Sequence, residues 1–375
     1  MTARKIFFFY PYYWPHYKAG GPVQSLFNFS AAFNTGASLY TISLTRDIDG
    51  SAPLLPVIPS AWNKGPNQEN IFFVKRLSLL TAFRLVKEVH PDVLYINGLF
   101  NIRSTLIGIF CSKVLGIKAV IAPRGMLQPW ALKRSPTRKK MALGFLRMVL
   151  SNQEQWHATD EQERHDIHTH FGTRQSVHVA SNVPRPVSNF LPLQFPDEEK
   201  KVRLVFLSLI NKNKNLHLVI EAVNALSPHF SLDIFGPPAD PQYWEFCKTK
   251  IKEDGAINYK GGVAPWDVPS ILKCYHFLVL PTEGENFGHA IFDSLASGVP
   301  VLISRKTPWK DIEQKGAGLY IDSLEVTTLI ALLDTIRKMA DDEYQRMRAK
   351  GHAYAVNYWA EGRFTKDYEF LIASL

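Results

Sequence analysis

The chain has 375 residues, of which 46% are hydrophobic and 21% charged, and a formal net charge of +9. That length suits two domains of ordinary size, and that balance excludes a disordered chain. No window approaches ~20 uninterrupted apolar residues, which excludes a membrane-spanning helix on hydropathy; Lys113 and Lys118 interrupt the run that comes nearest. The charge is uneven. Residues 1–185 hold 22 Lys and Arg against 10 Asp and Glu, a balance of +12, and residues 186–375 hold 21 against 24, a balance of −3. The first half therefore reads as facing something anionic, or else as carrying a solvated basic surface. Cys111, Cys247 and Cys274 have no metal-ligand or redox spacing and read as reduced thiols of a cytosolic protein.

In chain order, Lys5 to Tyr10 reads as a first strand. A signal peptide is set aside because the apolar run is short, broken at Pro11 and followed by no cleavage site. An aromatic loop ends in Gly20-Gly21-Pro22, and Pro22 suits the first turn of a helix to about Phe33. Two glycines there can bring backbone N–H groups against a phosphate or sugar, or form a plain turn. A strand near 38–44 is followed by a polar, Pro-rich stretch to about Asn70, a strand at 71–74, a helix at 77–89 and a strand at 93–96. Helix 105–115 and strand 119–122 come next. This alternation predicts a doubly wound, mostly parallel sheet. Asn97-Gly98 and Pro123-Arg124-Gly125 follow strands and end at one sheet edge, so Arg124 is a candidate site residue or a surface arginine in a turn.

Lys133, Arg134, Arg138, Lys139 and Lys140 lead into a segment with Met141, Leu143, Phe145 and Leu146. A basic stretch opening an amphipathic helix suits a membrane surface or an anionic acceptor, and equally a solvated face. The strand at 154–158 and a helix capped at Thr159-Asp160 follow. His157, His165, His168 and His170 lack a companion Glu or Cys pair at metal-ligand spacing, so no metal site is read there. Pro186 to Lys200 reads as a linker. Residues 1–185 are thus one Rossmann-like domain and 186–356 a second, and the helix at about 357–375 is either a terminal helix of the second or one that packs back on the first.

The second half restarts the alternation and culminates in FLVLPTEGENFGHAIFDSLASGVPVLIS (277–304). The pattern is a strand, a turn with Glu283 and Glu285, a helix over 287–296, and a strand after Gly298 and Pro300. A strand feeding a helix N-terminus through a polar turn suits nucleotide and phosphate binding, and Gly288 permits close approach to the backbone.

Pro281-Thr282-x-x-Glu285-Asn286-Phe287-Gly288, with Asp293 eight residues after Glu285 and then Gly298-Val299-Pro300-Val301, resembles the donor-sugar signature of glycosyltransferase family 4. The resemblance implies an α/β protein of GT-B fold, two Rossmann-like doubly wound domains facing an interdomain cleft, with the helix at about 357–375 packing back on the first. It implies a retaining enzyme that moves a sugar from a nucleotide-sugar to a glycan or lipid-pyrophosphate-linked acceptor in surface polysaccharide assembly. UDP-sugars are favoured over GDP-sugars, and neither a metal nor another cofactor is expected. On this pattern Glu285 holds the sugar hydroxyls and Asp293 the ribose. Asn286, Phe287 and Gly288 present N–H groups, Glu283 and Lys214 belong to the donor site, Gly20 and Gly21 line it, and Arg124 faces the donor from the first domain. Two residues depart from the pattern: Asp293 stands where the family has Glu, and Leu209 where it has an Arg on the diphosphate. The expected location is cytoplasmic, with a peripheral place on the inner membrane face left open. A nucleotide-sugar epimerase or hydrolase on the same fold, and a non-catalytic membrane or nucleic-acid binder using the basic half, are the alternatives.

Overall fold

The computed structural model describes all residues except 1–3, 34–35, 134–135, 152–153, 188, 191–200, 254 and 374–375. The linker expected over 186–200 lies largely outside the described residues, as does Arg134. The chain divides into two compact units, Met1–Val183 with Arg363–Leu375, and Pro184–Gly362.

In the first unit the elements run β1 (Arg4–Phe9), α1 (Gly21–Phe33), β2 (Ala37–Leu44), β3 (Trp62–Lys64), β4 (Asn70–Val74), α2 (Leu79–Val89) and β5 (Val93–Asn97). They continue through α3 (Ile102–Leu115), β6 (Lys118–Ala122), α4 (Pro129–Lys133), α5 (Pro136–Val149), β7 (Gln155–Ala158), α6 (Glu161–Phe171) and β8 (Ser176–Val179). The sheet order is β3-β4-β2-β1-β5-β6-β7-β8, parallel throughout except for the β3–β4 pair. All five residues of β5 are buried, as a parallel strand covered on both faces requires. Ser78 caps α2 by accepting from the Thr81 N–H at 3.1 Å, and Asp160 caps α6 by accepting from the Glu163 N–H at 2.7 Å. The polar, Pro-rich stretch, in which no strand was expected, contains β3, an antiparallel edge strand whose register is Trp62 opposite Phe72.

The second unit comprises β9 (Val202–Leu207), α7 (Leu216–Ala225), β10 (Phe230–Phe235), α8 (Pro241–Lys248), β11 (Ile257–Gly261), α9 (Val268–Leu272), β12 (Phe277–Leu280), α10 (His289–Ala296), β13 (Val301–Ser304), β14 (Gly318–Ile321), α11 (Val326–Arg337) and α12 (Asp341–Glu361). Its sheet is all parallel, in the order β11-β10-β9-β12-β13-β14. Renumbered within the unit this is 3-2-1-4-5-6, whose direction of winding reverses between β9 and β12.

Two expectations are corrected. The helix after the signature turn begins at His289 rather than Phe287, because Gly288 sits at its N-cap in the left-handed region (φ 80°) and breaks helical geometry. The terminal helix expected from about 357 is two helices. Gly362, at φ 55°, ends α12, and α13 (Arg363–Ala373) belongs to the first unit. There the Tyr368 ring lies 5.0 Å from that of Phe29 and 5.7 Å from that of Phe33 on α1.

Candidate active site

In an open parallel sheet, ligands gather beyond the strand C-termini where the winding reverses. In the second unit those are the loops after β9 and β12, which carry the 206–215 segment and the signature turn. They are stitched together. The Glu283 N–H donates to the Asn213 carbonyl at 2.7 Å, and Asn215 Nδ2 donates to the Pro281 carbonyl at 2.9 Å. Asn215 takes up a left-handed conformation (φ 51°) to do so. Thr282 is fully buried. Its Oγ1 donates to the Gly284 carbonyl at 2.8 Å and accepts from the Gly284 N–H at 3.2 Å, and Ser304 Oγ donates to its carbonyl at 2.6 Å.

Within this frame Lys214 Nζ forms an ion pair with Glu285 Oε1 and lies 3.5 Å from Thr282 Oγ1. Both side chains are largely buried, at 10% and 15% exposure. Glu283 points elsewhere, to Lys306 Nζ at 2.5 Å in an exposed pair. Asn286 is half-buried, while Phe287 is buried against Trp309, whose Nε1 donates to the Phe287 carbonyl at 2.6 Å. A Cβ on Gly288 would stand 2.9 Å from Ile291 Cδ1, so the N-cap is compact. Asp293 projects from α10 and is buried. Burial pushes its carboxyl up to about 6 against the pull of Arg185, whose Nη2 lies 3.5 Å away. Leu209 is half-buried beside Gly236, where a Cβ would fall 1.8 Å from the Ser208 carbonyl oxygen. Among the described residues, Asn211 Oδ1 and Asn213 Nδ2 are buried without a hydrogen-bond partner in the protein. Unmet polar atoms beside a paired lysine and carboxylate suit a polar, anionic ligand.

The first unit has its own reversal between β1 and β5. Gly20 is left-handed (φ 77°) and Gly21 opens α1, with the loop fastened by Asp47, which accepts from the Tyr17 and Lys18 N–H groups at 3.0 and 3.2 Å. Arg124, also left-handed (φ 58°), turns its guanidinium inward. Nε donates to Asn97 Oδ1 at 2.7 Å, Nη2 to the Tyr95 hydroxyl at 2.9 Å and Nη1 to Asn182 Oδ1. His157 completes the cluster. Burial, with Arg124 adding to it, holds its pKa well below the ordinary value, so the ring is neutral and Nε2 donates to the Ala180 carbonyl at 2.7 Å while Nδ1 faces Tyr95. Glu163 fixes the Arg124 turn from α6 by accepting from the Gly125 and Thr159 N–H groups. On the basic segment Lys133, Arg138 and Lys140 are exposed, whereas Lys139 folds back over the Phe100 ring at 5.3 Å and donates to the Ala131 carbonyl.

The structure thus brings Lys214, Glu285 and Thr282 together in one unit and buries Arg124 in the other. Thr282, Asn215, Arg185, Lys306 and Trp309 carry positioning roles that the sequence alone did not single out. Thr282 lay within the signature, and the others are contacts across long sequence separations.

Residues 191–354 match the family described as Glycosyl transferases group 1. Over 120 residues the chain is 28% identical to O-antigen chain mannosyltransferase B of Escherichia coli, a stretch that covers 32% of this chain and 30% of that protein. Sucrose-phosphate synthase from Thermosynechococcus elongatus aligns with a TM-score of 0.75 at 14% identity, covering 99% of this chain and 100% of that one. HepE of Anabaena, in complex with UDP-glucose, aligns with a TM-score of 0.73 at 14% identity over 99% and 100% of the two chains. At such identities the likeness is one of fold. Residues 191–354 are thus a glycosyltransferase enzyme domain, and the fold is GT-B.

Proposed function

We propose that the protein is a retaining glycosyltransferase of the family 4 type, which transfers a sugar from a nucleoside-diphosphate-sugar to a glycan or lipid-linked acceptor in surface polysaccharide assembly. The observation that carries this reading is the buried Lys214–Glu285 pair at the reversal point of the second sheet, inside the residues that match the glycosyltransferase family. Without ligand, each partner neutralises the other. A donor would divide them, its diphosphate taking the ammonium and its sugar hydroxyls the carboxylate. The α10 N-terminus, with the Asn286, Phe287 and Gly288 N–H groups beside it, would add positive potential. The acceptor hydroxyl then attacks the anomeric carbon on the face from which the diphosphate departs. The bond to the diphosphate oxygen breaks, and the acceptor proton passes to that oxygen. Asp293 accepts from ribose hydroxyls, Gly20 and Gly21 offer backbone N–H groups to the donor, and Arg124 shapes its turn from within. Lys214 and backbone N–H groups supply the charge stabilisation, so no metal is called for in this reading, and the site of action is the cytoplasm.

The relative named as an O-antigen chain mannosyltransferase supports the pathway, and the neighbour in complex with UDP-glucose supports a UDP-sugar over a GDP-sugar. The test is to incubate the protein with a panel of UDP- and GDP-sugars, follow nucleotide release and determine the anomer of the product. Slow release from one UDP-sugar, quickened by an acceptor and giving a product of the donor's anomeric configuration, is expected. Release that no acceptor quickens identifies a hydrolase. Inverted product, or no donor consumed, overturns the reading.

A further inference from the structure

We propose that the outward faces of α2, α3 and α5 form one docking surface for the anionic face of a lipid bilayer. On α5, Met141, Phe145 and Met148 follow one another at i, i+4 and i+7 and are 71%, 45% and 77% exposed; on α3, Phe110 and Val114 are exposed, and on α2 Leu80 is 84% exposed. These helices are neighbours. The Phe83 ring of α2 meets that of Phe110 at 6.3 Å, and Lys113 Nζ of α3 donates to the Val149 carbonyl at the end of α5 at 2.5 Å. A helix apolar outside as well as inside is ordinarily covered, and a patch of this kind marks an interaction site.

Charge selects the occupant. Between Asp92 and Glu154 the sequence has ten Lys and Arg and no Asp or Glu. The three helices themselves carry eight Lys and Arg against the single acid Glu88. A second copy of the chain would set one basic face on another. A nucleic acid would take up the charge and leave the methionines and Phe110 in water. Lipid headgroups with acyl chains beneath them satisfy both, with Arg138 and Lys140 in the headgroup layer and the methionines below it. The attachment lies in the interface, since among the described residues no helix is long and apolar enough to cross a membrane. This inference does not depend on the donor chemistry.

The test uses the full chain and vesicles of phosphatidylcholine with or without phosphatidylglycerol, followed by co-sedimentation. The wild type is expected to bind the anionic vesicles and to release on raising the salt. Arg138→Gln with Lys140→Gln, and separately Met141→Ser with Met148→Ser, should each lower the vesicle partition coefficient by about tenfold or more while leaving the melting temperature unchanged. Equal partition onto neutral and anionic vesicles overturns the proposal, as does wild-type partition by both variants. A dimer that the methionine variant converts to monomer also overturns it, by naming a second copy as the occupant.

Discussion

Lys214 and Glu285 are each nearly enclosed, so neither keeps its charge cheaply without the other. Glu285→Gln is expected to lose about 2–4 kcal/mol of transition-state stabilisation, read as the fall in kcat/KM. It should also lose about 1–3 kcal/mol of folding stability, because the ammonium stays buried without its carboxylate. Adding Lys214→Met to Glu285→Gln should then restore part of that stability, with a coupling of about 1 kcal/mol or more in urea melts. Additive single effects would mean the pair is not formed in solution. Asp293 gives a prediction of opposite sign. Its folded pKa, at about 6, lies above the ordinary carboxyl value of 3.8, so the native state holds the extra proton between those values. Stability is then full at the acid end, falls as pH rises through about 6, and levels off about 2–3 kcal/mol lower. Asp293→Asn should flatten this decline, melting above the wild type at about pH 7 but not at about pH 4, while weakening nucleotide binding. Parallel melting curves across that range would show that the carboxyl is not held up by burial.

At the scale of elements, three glycines grade the backbone strain that the fold accepts. Gly236 (φ 135°) has the Ser208 carbonyl oxygen 1.8 Å from where a Cβ would stand, and backbone cannot swing aside. Gly288 (φ 80°) meets side chains alone, Ile291 Cδ1 at 2.9 Å and Trp309 Nε1 at 3.4 Å, and Gly362 (φ 55°) meets nothing nearer than 3.8 Å. Alanine at these positions should cost about 3 kcal/mol or more, about 1–2 and about 1 respectively in urea titrations, and any other ranking would refute the geometry. Sequence reading found the elements whose burial is continuous. The parallel strands β1, β5, β9 and β12 each hold a buried apolar run, Ile6–Phe9, Val93–Ile96, Leu204–Phe206 and Phe277–Leu280, and the turn between β12 and α10 announces itself by its carboxylates and glycine. It missed β3, whose three residues have no buried face to leave a period. It also merged parts of α12 and α13, because Tyr354, Tyr358, Phe364, Tyr368 and Leu371 keep helical spacing across Gly362. The first two pack around Trp309 in one unit and the last three are buried in the other. The inward turn of Arg124 was illegible for a related reason. It depends on Tyr95 and Asn97 of β5 and on Asn182, partners that no local pattern connects.

For the whole molecule, the chain passes from the first unit to the second after Val183 and returns at Arg363, so the first unit is finished only by a segment that follows the entire second unit in sequence. Both passages are tied down there. Asn28 Nδ2 donates to the Val183 carbonyl at 3.0 Å, and Arg124 holds Asn182. On the return, Phe364, Tyr368 and Leu371 are buried, with the Tyr368 ring tilted against Phe29 and Phe33 of α1 and its hydroxyl hydrogen-bonded to the Arg124 cluster. Each such side chain contributes about 1.5–3 kcal/mol on burial, so the three together approach the ~5–15 kcal/mol that separates a folded domain from its unfolded chain. A chain stopped after Gly362 is therefore expected to leave α1 uncovered and to aggregate. Single substitutions divide the contribution without removing the helix. Tyr368→Phe keeps the ring and loses the hydroxyl, at about 1–2 kcal/mol, whereas Tyr368→Ala also opens a cavity against Phe29 and Phe33, at about 3–5 kcal/mol. Thermal melts of the two variants beside the wild type decide the matter. If Tyr368→Ala melts with the wild type, or the shortened chain stays soluble and folded, then α13 does not complete the first unit.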